Sequence, residues 1–308
     1  MSVRRWVGDR VEAVYAALLR REVDGAPTHV AVIQDGNRRY ARERGEDAAA
    51  GHAAGAETTA DLLSWCADLG VEELTLYAFS TENFNRPADE REHLFDLIEE
   101  KLTEFADADR VHEDEVAINA IGEIDRLPRR VQEAVSYAED RTAAYDALQL
   151  NIALAYGGRA ELLGAARDVA RDVADGELTA GEVDAATVAR RLSAGPARDV
   201  DLIVRTGGDE RTSNFLPWHA NGNEAAVYFC TPYWPAFSES DFLRAIRTYE
   251  AREESRRQAR VQRALALLRA GVGAELTEAR AVVDRVRGSL PASEDPDTGA
   301  VDRGVDAD

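Results

Sequence analysis

The chain of 308 residues is poor in cysteine and contains almost no lysine, although it carries many charged side chains. Its two cysteines, Cys66 and Cys230, lie far apart in apolar surroundings. They predict small buried thiols in a reducing compartment and offer no spacing for a zinc site. Lys101 is the only lysine among 37 basic residues, and the net charge is −21. This composition indicates a protein adapted to concentrated salt and encoded by a GC-rich genome.

Two further absences exclude classes of function. An acidic surface opposes non-specific binding to nucleic acid, because that binding needs positive charge along the phosphates. No apolar run approaches the roughly 20 residues of a membrane helix. The first residues reach Asp9, Arg10 and Glu12 too early for the apolar region of a signal peptide. We therefore expect a cytoplasmic protein that touches a membrane at most from its periphery.

Residues 29–40 are the most informative stretch. The apolar run 30–33 predicts a short buried strand, and the turn dipeptide Asp35-Gly36 ends it before a helical segment. Asp35 then lies at the carboxyl end of a strand, where open α/β sheets bind ligands. Arg38 and Arg39 add donors for a phosphate beside the helix start. A structural alternative is that Asp35 only caps the helix.

Apolar runs alternate with helical patterns along most of the chain, which predicts an α/β fold with a mainly parallel sheet flanked by helices. The six predicted strands are 30–33, 74–79, 116–121, 148–154, 201–205 and 225–229. The predicted helices include 9–22, 51–69, 88–106, 160–174 and about 239–270, with a shorter glycine-interrupted helical region to about 287. We expect one catalytic domain over 1–287 and a disordered acidic tail over 288–308.

Polar, glycine-bearing loops follow the first, second, fourth and fifth predicted strands, so they should gather at one edge of the sheet. Arginine with hydroxyl and backbone donors suits a diphosphate, and carboxylates with diphosphate oxygens suit Mg²⁺. The residues themselves therefore predict a Mg²⁺-dependent enzyme acting on phosphate or diphosphate esters. The edge carries arginines at 38, 39, 86, 159, 205 and 211, the carboxylates Asp35, Glu82, Asp209 and Glu224, and the donors Ser80, Asn83, Ser213 and Asn214.

The same loops resemble the cis-prenyltransferase family, which comprises the undecaprenyl and polyprenyl diphosphate synthases. Four blocks within 29–237 carry the resemblance, in the family's order and spacing. They are H-x-A-x-I-x-D-G-N-x-R at 29–39, Y-A-F-S-T-E-N-F-N-R-P at 77–87, L-N-I-A-x-x-Y-G-G-R at 150–159 and D-L-I-x-R-T-G-G-x-x-R-x-S-N-F-L at 201–216.

The resemblance implies head-to-tail condensation of isopentenyl diphosphate onto an allylic diphosphate. It implies Asp35 and Asn83 as catalytic residues, and Asp35 and Glu224 as ligands of Mg²⁺. It implies substrate binding by Gly36, Asn37, Arg38, Arg39, Tyr40, His52, Ser80, Thr81, Glu82, Phe84, Arg86, Arg205, Arg211, Thr212 and Ser213. His52 taken alone is also compatible with a structural role.

The family resemblance further suggests a homodimer and a geranylgeranyl primer. It also suggests that the product is a long cis-polyprenyl diphosphate of about C55 to C60, which serves as a glycosyl carrier. These expectations rest on matched residues and not on fold alone. Farnesyl diphosphate remains the alternative primer. We expect an apolar product tunnel beside the helices at 51–70 and 88–106. Its candidate lining residues, which could equally be ordinary core, are Leu62, Leu63, Leu94, Phe95 and Ile98.

Several positions depart from the family pattern. Ala48 stands where an arginine is common, and Tyr40 replaces tryptophan or phenylalanine. Glu210 occupies a position that is often histidine, and the usual C-terminal Arg-x-Gly is at best Arg257-Gln-Ala259. Two rival functions stay open: a catalytically silent subunit of a prenyltransferase heteromer, and another phosphate-handling transferase. The intact Asp35 motif opposes the first, and the lack of a Walker or Rossmann glycine pattern opposes the second.

Overall fold

A computed structural model describes residues 3–192, 198–222 and 225–289, and its centre is a six-stranded sheet. The strands are β1 (His29–Ile33), β2 (Glu73–Ser80), β3 (Val116–Ile121), β4 (Leu148–Tyr156), β5 (Leu202–Arg205) and β6 (Ala226–Phe229). Their order is β3-β4-β2-β1-β5-β6, and all five neighbouring pairs are parallel. The predicted α/β fold with a six-stranded sheet is confirmed.

Helices cover both faces of this sheet. They are α1 (Val3–Glu22), α2 (Asn37–Arg44), α3 (Ala48–Leu69), α4 (Ala88–Asp107), α5 (Asp109–Glu113), α6 (Arg129–Thr142), α7 (Gly158–Ala174), α8 (Ala185–Ala189), α9 (Pro217–Gly222) and α10 (Glu239–Ser289). The described residues up to 253 form one compact unit, and those from 254 to 289 belong to another. In the described part of the chain, no helix is both long and apolar enough to cross a bilayer.

The C-terminal helix differs from the prediction. Helix α10 runs without interruption to Ser289, although a break was expected near residue 270 because of Gly271 and Gly273. A glycine inside a helix costs only about 1 kcal/mol relative to alanine, so these two glycines weaken the helix without ending it. Residues 288 and 289 of the predicted disordered tail belong to α10, and 290–308 lie outside the described residues.

Strand β1 is buried along its whole length, as its apolar run predicted. Val30 pairs with Leu74 of β2 on one side and with Leu202 of β5 on the other. Alternate side chains point to opposite faces, so Val30 and Val32 join one core cluster and Ala31 and Ile33 join the other. The chain leaves β1 toward β2 and later returns to its other side as β5, which makes the end of β1 a topological switch point.

Helix α1 leaves several of its large apolar side chains exposed. Residues 9–22 were predicted to be helical, and within this stretch Val14 is 62% exposed and Leu18 is 53% exposed. Leu19 is buried together with Ala16, against Leu243 of α10. Small Ala16 allows the helix to approach closely, so the buried stripe is rotated relative to the larger apolar side chains.

Candidate active site

Asp35 lies two residues beyond the end of β1, with its carboxylate 29% exposed. The cap of α2 is Gly36, whose φ of 109° lies in the region that favours glycine. A Cβ atom at this position would lie 2.6 Å from the Tyr233 ring, so a side chain would meet both strain and a clash. The alternative in which Asp35 caps the helix is therefore wrong, and its carboxylate is directed to other partners.

The backbone of Asp35 is fixed from two sides. The hydroxyl of Thr206 donates to the Asp35 carbonyl at 2.7 Å and accepts from its N–H at 3.0 Å. The N–H of Trp234 donates to the same carbonyl at 3.0 Å. The indole of Trp234 in turn donates to the carbonyl of Gly55 in α3 at 2.7 Å. These bonds position Asp35 through segments that all follow it in the chain.

Arg205 binds the carboxylate of Asp35 from the buried side of the site. Its side chain is 3% exposed, and one terminal nitrogen donates to the Asp35 carboxylate at 2.7 Å. Its other terminal nitrogen donates to the hydroxyl of Ser213 and to the Arg211 carbonyl. Arg39 reaches the second oxygen of Asp35 at 3.0 Å. One guanidinium thus joins the loop after β1 to the loop after β5.

Opposing effects act on the ionisation of Asp35. Burial alone would raise the pKa of this carboxyl, but the hydrogen bond from Arg205 and the charges of Arg39 and Arg205 outweigh burial. The net result is a pKa below its ordinary value of 3.8. Asp35 is therefore an anion throughout the physiological pH range.

The loop after β2 forms a short 3₁₀ helix, Thr81–Asn85, where the sequence predicted only a polar loop. Asn83 accepts the N–H of Ser80 at 2.8 Å, so this amide also has a local structural role. Arg86 pairs with Glu90 at 2.8 Å, and Arg38 of α2 approaches the same carboxylate at 3.6 Å. Glu90 thus holds Arg38 of α2 close to Arg86 of the loop after β2.

The turn between β4 and α7 contacts the loop that carries Ser213. The N–H of Gly158 donates to the carbonyl of Asn214 at 2.9 Å, and the N–H of Arg159 donates to the Asn214 side chain at 2.8 Å. A Cβ atom on Gly158 would lie 2.1 Å from Pro217, and one on Gly157 would lie 2.6 Å from the Thr81 hydroxyl. The two glycines are required because three loops meet here without space for a side chain.

A cavity of about 550 Å³ opens above Asp35. Five arginines and two aspartates line it, so its lining carries a net charge of about +3 within a chain of net charge −21. Its lining residues are Gln34, Asp35, Gly36, Asn37, Arg38, Arg39, Arg42, His52, Arg86, Asp209 and Arg211. Gln34 and Arg42 were not among the predicted site residues, and Asp209 was predicted only as one of the carboxylates at this edge of the sheet.

The sequence held a partial signal for Arg42, which was missed, and it placed Asp209 at this edge without giving it a role. Arg42 falls on the same side of α2 as Arg38, four residues earlier, and Asp209 follows the two glycines after β5. Arg42 brings a guanidinium to the cavity, which the small side chain of Ala48 cannot do. Only the folded chain shows that both residues face the same space.

A second cavity, about 110 Å³ and mainly apolar, lies between the sheet and helices α3 and α4. Leu94 and Ile98 line it as expected, whereas Leu62, Leu63 and Phe95 are packed in the core. The charged and the apolar cavities share three lining residues, which are Gln34, Asn37 and His52. A positively charged space and an apolar space therefore adjoin each other at the carboxyl edge of the sheet.

Two polar atoms lie at this junction with no hydrogen-bond partner among the described residues. They are Nε2 of His52 and Oδ1 of Asn37, and both are buried. Burial, with Arg86 and Arg38 nearby, lowers the pKa of His52 from 6.5 to about 4. His52 is therefore a neutral imidazole near pH 7. Buried polar atoms without partners are rare, so each of these two requires a partner such as a water, an ion or a ligand.

Other predicted residues lie elsewhere. Tyr40 packs beneath the guanidinium of Arg44, 3.5 Å from the ring centre, and Phe84 packs edge-on against Phe79. Thr212 contributes a carbonyl that accepts the N–H of Phe215. Thr81 lies beside Gly157, and Glu82 is exposed. Glu224, the predicted second metal ligand, lies outside the described residues.

The donors that the structure does describe fit a magnesium ion. Mg²⁺ is usually held by one or two carboxylates together with phosphate oxygens and water. Asp35 supplies a partly exposed, ionised carboxylate at the edge of an arginine-lined cavity. Across 3–192, 198–222 and 225–289, no three His, Cys, Asp or Glu side chains converge as a complete metal cage.

Comparison with known proteins gives three consistent matches. Residues 33–257 match the Prenyltransf family model of undecaprenyl diphosphate synthases. A protein of Halobacterium salinarum, named tritrans,polycis-undecaprenyl-diphosphate synthase (geranylgeranyl-diphosphate specific), is 66% identical over 291 residues, covering 94% of this chain and 95% of that protein. A protein of Haloarcula marismortui with the same name is 63% identical, covering 92% and 93%.

A solved structure is also similar. Lavandulyl diphosphate synthase from Lavandula x intermedia, crystallised with dimethylallyl diphosphate, superposes with a TM-score of 0.66 at 33% identity. The similarity covers 73% of this chain and 95% of the plant protein. The fold and the sequence therefore agree on the kind of protein to which this chain is related.

Proposed function

This chain belongs to the undecaprenyl diphosphate synthase family of cis-prenyltransferases, and we propose that it condenses isopentenyl diphosphate with an allylic diphosphate primer. The product would be a long cis-polyprenyl diphosphate, the precursor of a glycosyl carrier lipid. The family resemblance predicted from the sequence is confirmed. The haloarchaeal relatives are named as geranylgeranyl-diphosphate specific, and we propose the same primer here.

The observation that carries this proposal is the junction of the two cavities. A prenyl diphosphate has an anionic head and a hydrocarbon tail, and it needs both environments side by side. The charged cavity holds five arginines, and the apolar cavity follows α4 from Leu94 to Phe105. His52 and Asn37 lie where the two cavities meet, so the bond between head and tail would lie beside them.

The reaction breaks the allylic carbon–oxygen bond and joins the allylic carbon to isopentenyl diphosphate, which then loses a proton. Arg38, Arg39 and Arg42 can hold the departing diphosphate, because guanidinium groups bind its oxygens in pairs. Electrostatic stabilisation of this leaving anion is the main catalytic effect that the site can supply. Ser80, Glu82 and Asn83 are the polar groups of the adjoining loop for the proton-removal step.

The second diphosphate would bind near the loop after β5. Arg211 is 63% exposed and pairs with Asp209 at 3.1 Å at the edge of the charged cavity, whereas Arg205 is 3% exposed and engaged by Asp35 and Ser213. We therefore assign Arg205 a positioning role and Arg211 direct contact. Asp35 would hold Mg²⁺, which when bound neutralises diphosphate charge and assists its departure.

The test is incorporation of radiolabelled isopentenyl diphosphate at high salt with Mg²⁺. Geranylgeranyl and farnesyl diphosphate are offered separately to wild type, to Asp35→Ala and to Asp61→Ala, an exposed site on α3 that serves as the control. We expect long products with the geranylgeranyl primer, and a rate at least about 100-fold lower in Asp35→Ala. Chelation should abolish incorporation, and added Mg²⁺ should restore it.

A folded wild type that is inactive with both primers would contradict the proposal and would favour the silent-subunit alternative. Equal rates for Asp35→Ala and Asp61→Ala would leave the reaction standing but would remove Asp35 from the site. A preference for farnesyl diphosphate would change only the primer.

We further propose a cytoplasmic homodimer that touches the membrane from its periphery. The apolar product supports the membrane contact, because a long polyprenyl chain has to pass from protein to lipid. Light scattering in concentrated potassium chloride would give the oligomeric state. Fractionation of cells would show whether the protein sediments with membranes and is released by washing.

A further inference from the structure

Tyr233 lies between two residues whose backbones are bonded to the walls of the charged cavity. The carbonyl of Pro232 accepts the N–H of Gly207, in the loop after β5, at 2.7 Å. The N–H of Trp234 donates to the carbonyl of Asp35, in the turn after β1, at 3.0 Å. Tyr233 is therefore fixed beside the turn that carries Asp35, although its own side chain does not line the cavity.

The side chain of Tyr233 contacts helix α2 at two places. Its hydroxyl donates to the carboxylate of Glu43 at 2.7 Å, and the guanidinium carbon of Arg39 lies 5.4 Å from the centre of its ring. Residues four apart lie on the same side of a helix, so one aromatic side chain spans two successive turns of α2. The ring also packs against the start of this helix, since a Cβ atom on Gly36 would lie 2.6 Å from it.

The contact between Arg39 and the ring differs in kind from the ion pairs of Arg39. The carboxylates of Asp35 and Asp209 approach one terminal nitrogen of Arg39, at 3.0 and 3.6 Å. An aromatic ring attracts the whole cation through its π face and need not occupy a particular N–H donor. Tyr233 can therefore hold Arg39 at the cavity while the N–H groups of Arg39 bind diphosphate oxygens.

On the basis of the proposed function, we propose that Tyr233 is a positioning residue that directs the guanidinium of Arg39 at the diphosphate of the allylic primer. The aromatic ring should carry this role, because the hydroxyl bond to Glu43 is exposed to solvent. Tyr233 acts through Arg39 and not by contact with a substrate.

Two variants remove the ring. Tyr233→Leu also removes the hydroxyl, whereas Tyr233→Gln keeps a donor for Glu43. Both should lower kcat/KM for the allylic primer about fivefold, the size of one cation–π contact, and leave the KM for isopentenyl diphosphate within about 1.5-fold of wild type. Tyr233→Phe keeps the ring, so its kcat/KM should stay within about 1.5-fold of wild type.

The matched control is Tyr137→Leu on helix α6. The hydroxyl of Tyr137 donates to the carboxylate of Asp107 at 2.7 Å, the same kind of exposed bond that Tyr233 makes with Glu43. Tyr137 lies outside the lining of both cavities, so its replacement should leave all kinetic constants unchanged. Thermal unfolding in high salt confirms that each variant is folded.

A double-mutant cycle tests whether Tyr233 acts through Arg39. Arg39→Gln removes the cation, so adding Tyr233→Leu to it should lower kcat/KM by less than about twofold. Two residues that act independently would instead give the full fivefold loss in both backgrounds.

A second readout needs no turnover. Calorimetry with inorganic diphosphate and Mg²⁺ in high salt measures how tightly the site holds the anion. The dissociation constant should rise about fivefold in Tyr233→Leu and stay unchanged in Tyr137→Leu.

The outcomes are distinguishable. An unchanged kcat/KM in Tyr233→Leu, equal losses for both substrates, or a full fivefold loss in the Arg39→Gln background each overturns this inference and leaves the proposed function intact. A folded wild type that makes no polyprenyl product overturns the proposed function itself. In that case, weaker binding of inorganic diphosphate by Tyr233→Leu still supports the link between Tyr233 and Arg39, and unchanged binding overturns it.

Discussion

Arg205 joins the ends of β1 and β5, because one terminal nitrogen donates to Asp35 while the other donates to Ser213. The planar guanidinium can satisfy both at fixed angles, whereas a lysine ammonium is a single point of charge. Its near-complete burial means that no water is at hand to replace a lost bond. The geometry of the site therefore depends on one side chain that the substrate need not touch.

Arg205→Lys should lower the free energy of unfolding by about 1–3 kcal/mol, because it leaves buried polar groups without partners. It should also slow condensation, since Asp35 loses its fixed orientation. Urea denaturation at constant salt measures the first effect. Arg129→Lys, at a side chain that is 90% exposed, is the control and should change stability by less than about 0.5 kcal/mol. Equal stability of the two variants would contradict the positioning role.

A buried histidine predicts a dependence of stability on pH. Burial lowers the pKa of His29 from 6.5 to about 4, and its ring is held by Thr75 at 2.8 Å and by the Arg198 carbonyl at 3.1 Å. The unfolded chain then binds the proton more readily, so the free energy of unfolding falls as pH decreases from 6.5 to 4. The contribution of this one residue is up to about 3 kcal/mol.

His29→Gln cannot titrate in this range, so its stability should fall less steeply with acid than that of wild type. Urea denaturation at several pH values between 7 and about 4 compares the two slopes, and any constant loss of stability in the variant does not affect the comparison. Parallel slopes would show that His29 does not carry the effect.

At the scale of elements, close approach of backbones decides whether the loops can meet. Gly158 begins α7 and lies against Pro217, where a methyl group would have no space. Gly164 lies in the same helix, and nothing lies within 4 Å of the position its Cβ would take. The same substitution should therefore have opposite effects at two sites six residues apart.

Gly158→Ala should destabilise the protein by about 1–3 kcal/mol, because the added carbon forces the turn away from the loop after β5. It should also raise the KM for isopentenyl diphosphate. Gly164→Ala should stabilise the helix by up to about 1 kcal/mol and leave the KM unchanged. Thermal unfolding and steady-state kinetics of both variants provide the comparison. Similar losses in both would contradict the close packing at Gly158.

Helices and strands with a clear hydrophobic pattern in the sequence were predictable, and elements without such a pattern were not. The strands were visible as apolar runs, since β1 and β4 are buried on both faces of a parallel sheet. The short helices α5, α8 and α9 have five or six residues, too few to show a period. Asp35 was found because strand, turn and helix adjoin in sequence, whereas Arg42 could be placed at the cavity only once the fold was known.

At the scale of the whole molecule, the net charge of −21 acts against compactness. Like charges repel across the surface unless salt screens them, and the screening length falls from about 10 Å at 0.1 M to about 3 Å at 1 M. The positive cavity lies within this acidic field, so anionic substrates are drawn to one place on a surface that otherwise repels them.

The melting temperature should therefore rise steeply with potassium chloride up to about 1 M and more slowly above it. Differential scanning fluorimetry across a salt series measures this dependence. A neutral osmolyte at matched osmolality, which acts by exclusion from the surface and not by screening, is the control and should give a smaller rise. Equal effects of salt and osmolyte would show that charge repulsion is not the cause.

The position of β1 between β2 and β5 has a consequence for biosynthesis. β2 lies about 40 residues after β1 in the chain, but β5 lies about 170 residues after it. During synthesis, one edge of β1 therefore stays unpaired until the ribosome has completed most of the protein. An unpaired apolar edge invites pairing with other chains. A nascent chain would therefore gain its active site and its protection from aggregation in the same late step, when β5 docks and brings Arg205 beneath Asp35.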